Sequence, residues 1–194
     1  MEKIKRLLLE NRAWAEGQIQ NDPDYFKNMA KDQNPEILWI GCADSRVPPN
    51  IVVNTKPGTV FVHRNIANLV YKDDENLMSV IEYAVLYLKV KYIIVCGHYN
   101  CGGVKAAFEG IENKRLSKWT KSLTDLKLKS KPSDFNKLVE LSVCDQVEKL
   151  KTLPVINQAW ENSHYPKLLG WVYDLNTGLL KEIVEFDISE KKAA

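Results

Sequence analysis

The sequence predicts an α/β fold with a mostly parallel central sheet, an antiparallel edge strand and flanking helices. Three observations predict it. Residues 36–41, 59–63 and 91–97 are continuously apolar, the pattern of strands covered on both faces. Between the second and third of these, Leu77, Val80, Ile81, Ala84, Val85 and Leu88 have helical spacing, which makes a strand-helix-strand crossover and parallel pairing. Near the end, residues 168–175 and 179–186 flank Asn176-Thr177-Gly178, the chemistry of a short hairpin turn, so the last strand runs antiparallel at an edge.

Ahead of the sheet, Ile4, Leu7, Leu8, Trp14 and Ile19 fall near helical intervals, and Asp22-Pro23 starts a second helix. A helical arm over residues 1–34 thus precedes an α/β core over 35–194. With 194 residues, 45% of them hydrophobic, the chain buries one substantial core and reads as a single domain, 1–194. A net charge of +2 gives no reason to expect a nucleic-acid partner. The locally basic run of Lys114, Arg115, Lys118, Lys121, Lys127, Lys129 and Lys131, opposed by Asp125, reads as a solvated helical face. No apolar stretch has the length of a membrane span, and Met1-Glu2-Lys3-Ile4-Lys5-Arg6 leads into an amphipathic segment, so the expected address is cytoplasmic.

In such a reducing compartment the four cysteines point to metal binding ahead of two disulfides, although a Cys96 or Cys144 disulfide stays open. Cys42 begins Cys42-Ala43-Asp44-Ser45-Arg46 where the first strand ends, and His98-Tyr99-Asn100-Cys101 follows the third. Ligand sites of open α/β sheets gather beyond the carboxyl ends of strands, so Cys42, His98 and Cys101 can converge. Singly, each has a plain alternative as a small buried hydrophobe or a satisfied polar group. Together, two thiolates and one imidazole make a three-ligand zinc site with an open fourth position, which is the catalytic pattern. Cys96 is expected to alternate away from this site and Cys144 to sit in an apolar helical register, both in the core. Asn100-Cys101-Gly102-Gly103 reads as a helix start whose dipole favours the Cys101 thiolate, with glycines that let a small ligand approach the backbone.

A zinc ion there lowers the pKa of a bound water toward neutrality and so generates hydroxide. If Arg46 pairs bidentately with Asp44, the carboxylate stays ionised and orients that hydroxide. Without the clamp, Asp44 itself can ligate zinc and close the site. The alternative for Asp44 and Arg46 is an ordinary surface ion pair.

Five blocks occur in order: Cys42-Ala43-Asp44-Ser45-Arg46-Val47, His63-Arg64-Asn65-Ile66-Ala67-Asn68, Glu82-Tyr83-Ala84-Val85, Cys96-Gly97-His98-Tyr99-Asn100-Cys101-Gly102-Gly103 and Gly170-Trp171-Val172-Tyr173-Asp174. Through them nearly the whole chain resembles the β-class carbonic anhydrases. The resemblance implies zinc on Cys42, His98 and Cys101, reversible hydration of carbon dioxide to bicarbonate and a proton, and Asp44 with Arg46 as a catalytic dyad. It implies a substrate pocket lined by Gln33, Phe61, Ile66, Tyr83 and the backbone of Gly102, part of it supplied by a partner subunit. It further implies a homo-oligomer, dimer or tetramer, in which the N-terminal helices embrace the neighbour.

Trp39, Arg64 and Tyr173 are similar to a set in the bicarbonate-inhibited bacterial branch of that family, where they form a noncatalytic bicarbonate site. A guanidinium, an indole donor and a phenol suit a small planar anion, and occupancy would favour the state with Asp44 on zinc. The alternative is that Trp39 and Tyr173 are strand residues and Arg64 pairs with an acid. Leu169 stands where a histidine is common in the family, which leaves any role of that histidine open. Two other functions share the metal motif: hydrolysis of carbon disulfide or carbonyl sulfide, and a non-catalytic zinc or bicarbonate sensor in which Asp44 stays ligated.

Overall fold

The computed structural model describes residues 2–163 and 165–189. Its contacts divide the chain into two units, residues 1–34 and 35–194. In the first unit, α1 (Glu2–Asn21) and α2 (Tyr25–Met29) are joined by a turn in which Asp22 Oδ1 accepts from the Asp24 N–H. The edge of Phe26 meets Trp14 at 5.7 Å between ring centroids. No residue of α1 is buried, and Ile4, Leu7, Leu8 and Ile19 all stand exposed.

The second unit is built on β1 (Ile37–Cys42), β2 (Val60–Asn65), β3 (Tyr92–His98), β4 (Lys167–Asp174) and β5 (Leu179–Phe186), which follow a short helix-free entry at Pro35. Among the described residues they form one sheet in the order β2-β1-β3-β4-β5, parallel except for the β4–β5 pair. Expected and observed strands agree to within one or two residues. The order reverses between β1 and β3, because the chain leaves β1 for β2 on one side and returns to β3 on the other. That crevice is where ligands of open α/β sheets bind.

The crossover helix does not run as one α-helix. Asp74 caps its start by accepting from the Asn76 and Leu77 N–H groups, and the α-helix covers Glu75–Glu82. Tyr83–Tyr87 then widen into a π turn in which the Leu88 N–H reaches back to the Tyr83 carbonyl. Tyr83 and Tyr87 stack at 5.5 Å, and Tyr83 lies 5.8 Å from Phe61.

The connections carry short helices after β1 (Pro49–Val52) and β3 (Gly102–Glu109). Two basic helices (Lys114–Trp119 and Lys121–Ser130) follow, then the long helix Phe135–Lys151 and Pro154–Asn162 before β4. Numbered in chain order with the crossover helix as α4, these are α3 and α5 to α9. Asp134 starts α8 by accepting from the Lys137 N–H. The buried stripe of α8 is Leu138, Val139, Ser142, Val143, Gln146, Val147 and Leu150. Cys144 falls off that stripe and is only half-buried, so its expected core position is corrected.

Helix α8 lies close on β3 and β4 because two strand residues lack a side chain. A Cβ at Gly97 would stand 2.9 Å from Val143 Cγ2, and one at Gly170 would stand 2.6 Å from Val184 Cγ1 and 2.7 Å from Val143 Cγ1. Gly170→Ala is therefore expected to destabilise the fold by about 1–3 kcal/mol through overpacking. Urea denaturation checks this, and an unchanged midpoint would mean that the helix shifts freely.

Candidate metal centre

Cys42 is the last residue of β1, His98 the last of β3, and Cys101 the residue that opens α5. Their ligand atoms lie within 4.8 Å of one another, and the two sulfurs are 3.9 Å apart. All three are buried, at 4%, 1% and 1% exposure. Two sulfurs at about 2.3 Å from a tetrahedral zinc stand about 3.8 Å apart, so the sulfur spacing fits that ion. His98 Nδ1–H donates to the Tyr99 carbonyl at 2.9 Å, which leaves Nε2 as the lone-pair nitrogen. Among the described residues Nε2 is buried with no hydrogen-bond partner. Such an orphan is costly in an interior and is accounted for by a cation.

The electrostatics agree with the donor set. A hydrogen bond from Cys101 is the main cause that brings the Cys42 thiol down to about 4, against its burial, and His98 and the backbone N–H groups of Asp44 and Ala67 add to it. The same hydrogen bond, together with burial, pushes the Cys101 thiol up. Burial lowers the His98 pKa, but the adjacent Cys42 more than reverses that, with the Tyr99 carbonyl and Asp44 acting in the same direction.

Asp44 and Arg46 form a forked pair. Arg46 Nε donates to Oδ1 at 2.9 Å and Nη2 to Oδ2 at 2.7 Å, while the Arg46 backbone N–H also reaches Oδ1 at 2.9 Å. This holds the Asp44 carboxyl well below its ordinary 3.8. Asp44 Oδ2 lies 3.7 Å from His98 Nε2, so the carboxylate borders the ligand group while Arg46 holds it.

Arg64, on β2, donates Nε to the Cys42 carbonyl at 2.7 Å and Nη2 to the Asp44 carbonyl. Its partners are thus main-chain oxygens of the loop that carries both the metal ligand and the dyad acid. Trp39 is buried and meets Trp171 edge-on at 6.1 Å, and Tyr173 is half-buried against the same cluster. Phe61 is half-buried, whereas Ile66 and Tyr83 are exposed at 40% and 44%, so Tyr83 is not a core residue of this chain. Gln33 lies in the first unit, its N–H donated to the Asp32 side chain.

Cys96 is buried apart from the metal group, its thiol donating to the Gly97 carbonyl at 3.3 Å. Strand alternation separates it from Cys42, because Cys96 is in register with Gly41, but not from His98, which is two residues on and shares its face. The end of β3 completes the separation: His98 stands where the strand opens into the loop, while Cys96 is still within the sheet, paired between Gly41 and Trp171. The glycine expectation also changes. A Cβ at Gly102 would meet open space, but one at Gly103 would lie 2.8 Å from Ile66 Cγ2 and 3.2 Å from Ala67 Cβ, so Gly103 serves the packing of α5 on that turn.

The turn at residues 66–68 leaves little trace in the sequence. Ala67 and Asn68 both have positive φ, 64° and 49°, in a segment without glycine. The Asn65 side chain grips it by donating to the Leu69 carbonyl and accepting from the Leu69 N–H, both at 2.8 Å. Trp119 Nε1 donates to the Ile66 carbonyl at 2.9 Å. A strained backbone held this firmly is what aims the Ala67 N–H at the Cys42 sulfur. Asn on either side of an apolar pair is a faint signal of left-handed backbone.

Residues 37–180 match the family model described as carbonic anhydrase. A carbonic anhydrase from Emericella nidulans is 44% identical over 187 residues, spanning 92% of this chain and 82% of that protein. A β-carbonic anhydrase from Coccomyxa, solved with acetazolamide, superposes with a TM-score of 0.90 at 38% identity, covering 97% of this chain and 90% of that one. One of two tetrameric β-carbonic anhydrases from the filamentous ascomycete Sordaria macrospora also gives 0.90, at 35% identity, covering 96% and 100%. With the family model matched over residues 37–180 and β-carbonic anhydrase structures superposing over more than nine-tenths of its length, the chain belongs to the β class of the carbonic anhydrase family.

Proposed function

We propose that the chain catalyses the reversible hydration of carbon dioxide at a zinc ion held by Cys42, His98 and Cys101, with Asp44 and Arg46 as the catalytic dyad. The observation that carries this is the orphaned His98 Nε2 beside two sulfurs at zinc-like spacing, with a clamped carboxylate at its edge. Bound there, zinc supplies the Lewis acidity that ionises water near neutral pH.

The remaining work falls to the chain. Asp44 accepts a hydrogen bond from the reacting oxygen and turns its lone pair toward the substrate. It does so as an acceptor, because its depressed pKa keeps it ionised. The stabilisation from the Asp44–Arg46 pair is full above 3.8 and is lost only as pH falls through the lower value of the folded state. A loss of activity in mild acid therefore does not come from protonating the paired Asp44. Reprotonation of a zinc-activated water would by itself lower activity in mild acid; a steeper loss, deepened by bicarbonate, would mark release of Asp44 from Arg46 and its approach to the metal ligands, the closed state. Phe61, Ile66, Tyr83 and the Gly102 backbone are assigned to the substrate pocket, for which the exposed apolar surface at Ile66 and Tyr83 is support.

Trp39, Arg64 and Tyr173 are assigned to bicarbonate control of that closure. What supports it is that Arg64 already donates to the Cys42 and Asp44 carbonyls, so an anion drawing on those donors loosens the Asp44 loop. The exposed apolar residues Ile4, Leu7, Leu8 and Ile19 of α1 support a homo-oligomer, dimer or tetramer, with the arm on a partner.

Stopped-flow hydration tests the chemistry. Cys42→Ser should lose both metal and activity, while Asp44→Asn and Arg46→Ala keep the metal and lose about a hundredfold or more in kcat, the scale of a misplaced reacting group. Unchanged rates in both would remove the dyad. In the same assay, wild-type activity should fall steeply at low pH with high bicarbonate and Arg64→Ala should flatten the response; a flat wild-type profile would remove the control site. Competition with carbon disulfide or carbonyl sulfide separates the hydrolase alternative. For assembly, light scattering should give at least twice the mass of one chain, falling toward one chain when Leu7 and Leu8 become Asp. A wild-type monomer would overturn the assembly.

A further inference from the structure

The loop between His98 and Cys101 is gripped from outside by α8. The Tyr99–Asn100 peptide group has the His98 Nδ1–H on its carbonyl at 2.9 Å and Asn136 Oδ1 on its N–H at 2.8 Å. Turning that one plane breaks both bonds at once. Asn100 meets it with φ 56°, a left-handed conformation that asparagine tolerates. One turn further along α8, Glu140 Oε1 accepts from the Tyr99 hydroxyl at 2.6 Å. Glu140 is fixed in turn by Lys137 and, from β5, by Lys181, each at 2.8 Å. Main-chain pairing of the Tyr99 N–H to the Tyr173 carbonyl at 3.0 Å completes the hold.

Resting on the assignment of the metal to Cys42, His98 and Cys101, we infer that Asn136 and Glu140 are positioning residues for His98, acting through the Tyr99–Asn100 peptide and the Tyr99 hydroxyl. The peptide carbonyl sets which imidazole nitrogen keeps its proton and where the ring points, and Asn136 sets the carbonyl. Glu140 prevents the loop from rotating about that contact. The Asn100 carbonyl, at the next step, accepts from Arg46 Nη2 at 3.5 Å, so the clamped loop also reaches the dyad. Groups that orient a metal-bound histidine in this way contribute roughly 10- to 100-fold to metal affinity.

The test is zinc affinity of the full chain by competition with a chromophoric chelator, with melting of the metal-free and zinc-loaded forms alongside. Tyr99→Phe and Asn136→Ala are expected to raise the zinc Kd roughly 10- to 100-fold while the metal-free melting temperature stays near wild type. Asn136→Asp, which keeps an oxygen for the Asn100 N–H, should recover most of the loss. Because both variants loosen one loop, the double variant should be weaker by less than the product of the singles. Zinc affinity within twofold of wild type in Tyr99→Phe and Asn136→Ala, with a lowered metal-free melting temperature, would overturn the inference and leave a structural contact. So would Asn136→Asp as weak as Asn136→Ala. Cys42→Ser separates the two levels: full zinc affinity in that variant would overturn the site assignment and the clamp with it.

Discussion

Two sulfurs and one imidazole nitrogen are buried within reach of each other, and among the described residues that nitrogen has no hydrogen-bond partner. The Cys42 thiol is brought down by its neighbours while Cys101 is pushed up, so the two sulfurs are inequivalent in the same buried group. Breaking up such a cluster by removing a partner is costly, whereas filling it with a cation satisfies every member. The surrounding architecture reads as the means of holding these three atoms still. The switch point of the sheet brings together the ends of β1 and β3, and the α5 N-terminus presents Cys101 toward them.

Around the centre, the backbone is bent in ways that side chains do not favour. Ala67, Asn68 and Asn100 all have positive φ, and each lies beside a metal-ligand loop. Such conformations persist only when their surroundings over-determine them. Here Asn65 and Trp119 hold the first turn and Asn136 the second, while Gln146, fully buried, accepts from the Val70 N–H at 2.8 Å just beyond the first. Arg64 joins them by binding two carbonyls of the Cys42–Asp44 segment. The ligand set is small, but the hydrogen bonds that fix it come from β2, α6 and α8.

The residue types and their order made the strands, the crossover, the hairpin and the Cys-His-Cys group legible, because apolar runs and metal ligands are local signals. The supporting groups were not legible for the opposite reason. Nothing about Asn136 or Glu140 distinguishes them from any polar residue on a half-exposed helix until the fold brings α8 to the 98–101 loop. Ala67 carries only the faint sign of its flanking asparagines, because its left-handed backbone depends on Asn65 and Trp119 folding around it. The π turn over Tyr83–Tyr87 is likewise visible only in the backbone, where the Leu88 N–H reaches the Tyr83 carbonyl. Cys144 shows the same limit: its apolar neighbours hid a small rotation off the buried stripe.

The missing side chains at Gly97 and Gly170 matter beyond packing. They let Val139, Val143 and Val147 of α8 rest directly against the strands, and the polar end of the same helix then meets the metal loop. From Asn136 to Val147 the helix spans about 16 Å at 1.5 Å per residue, so it works as a strut with one end seated in the core. A hydrophobic substitution beneath it acts at the other end, on the orientation of an imidazole it never touches. The tolerance of the metal centre to drift in sequence is therefore set partly by the floor on which that strut stands.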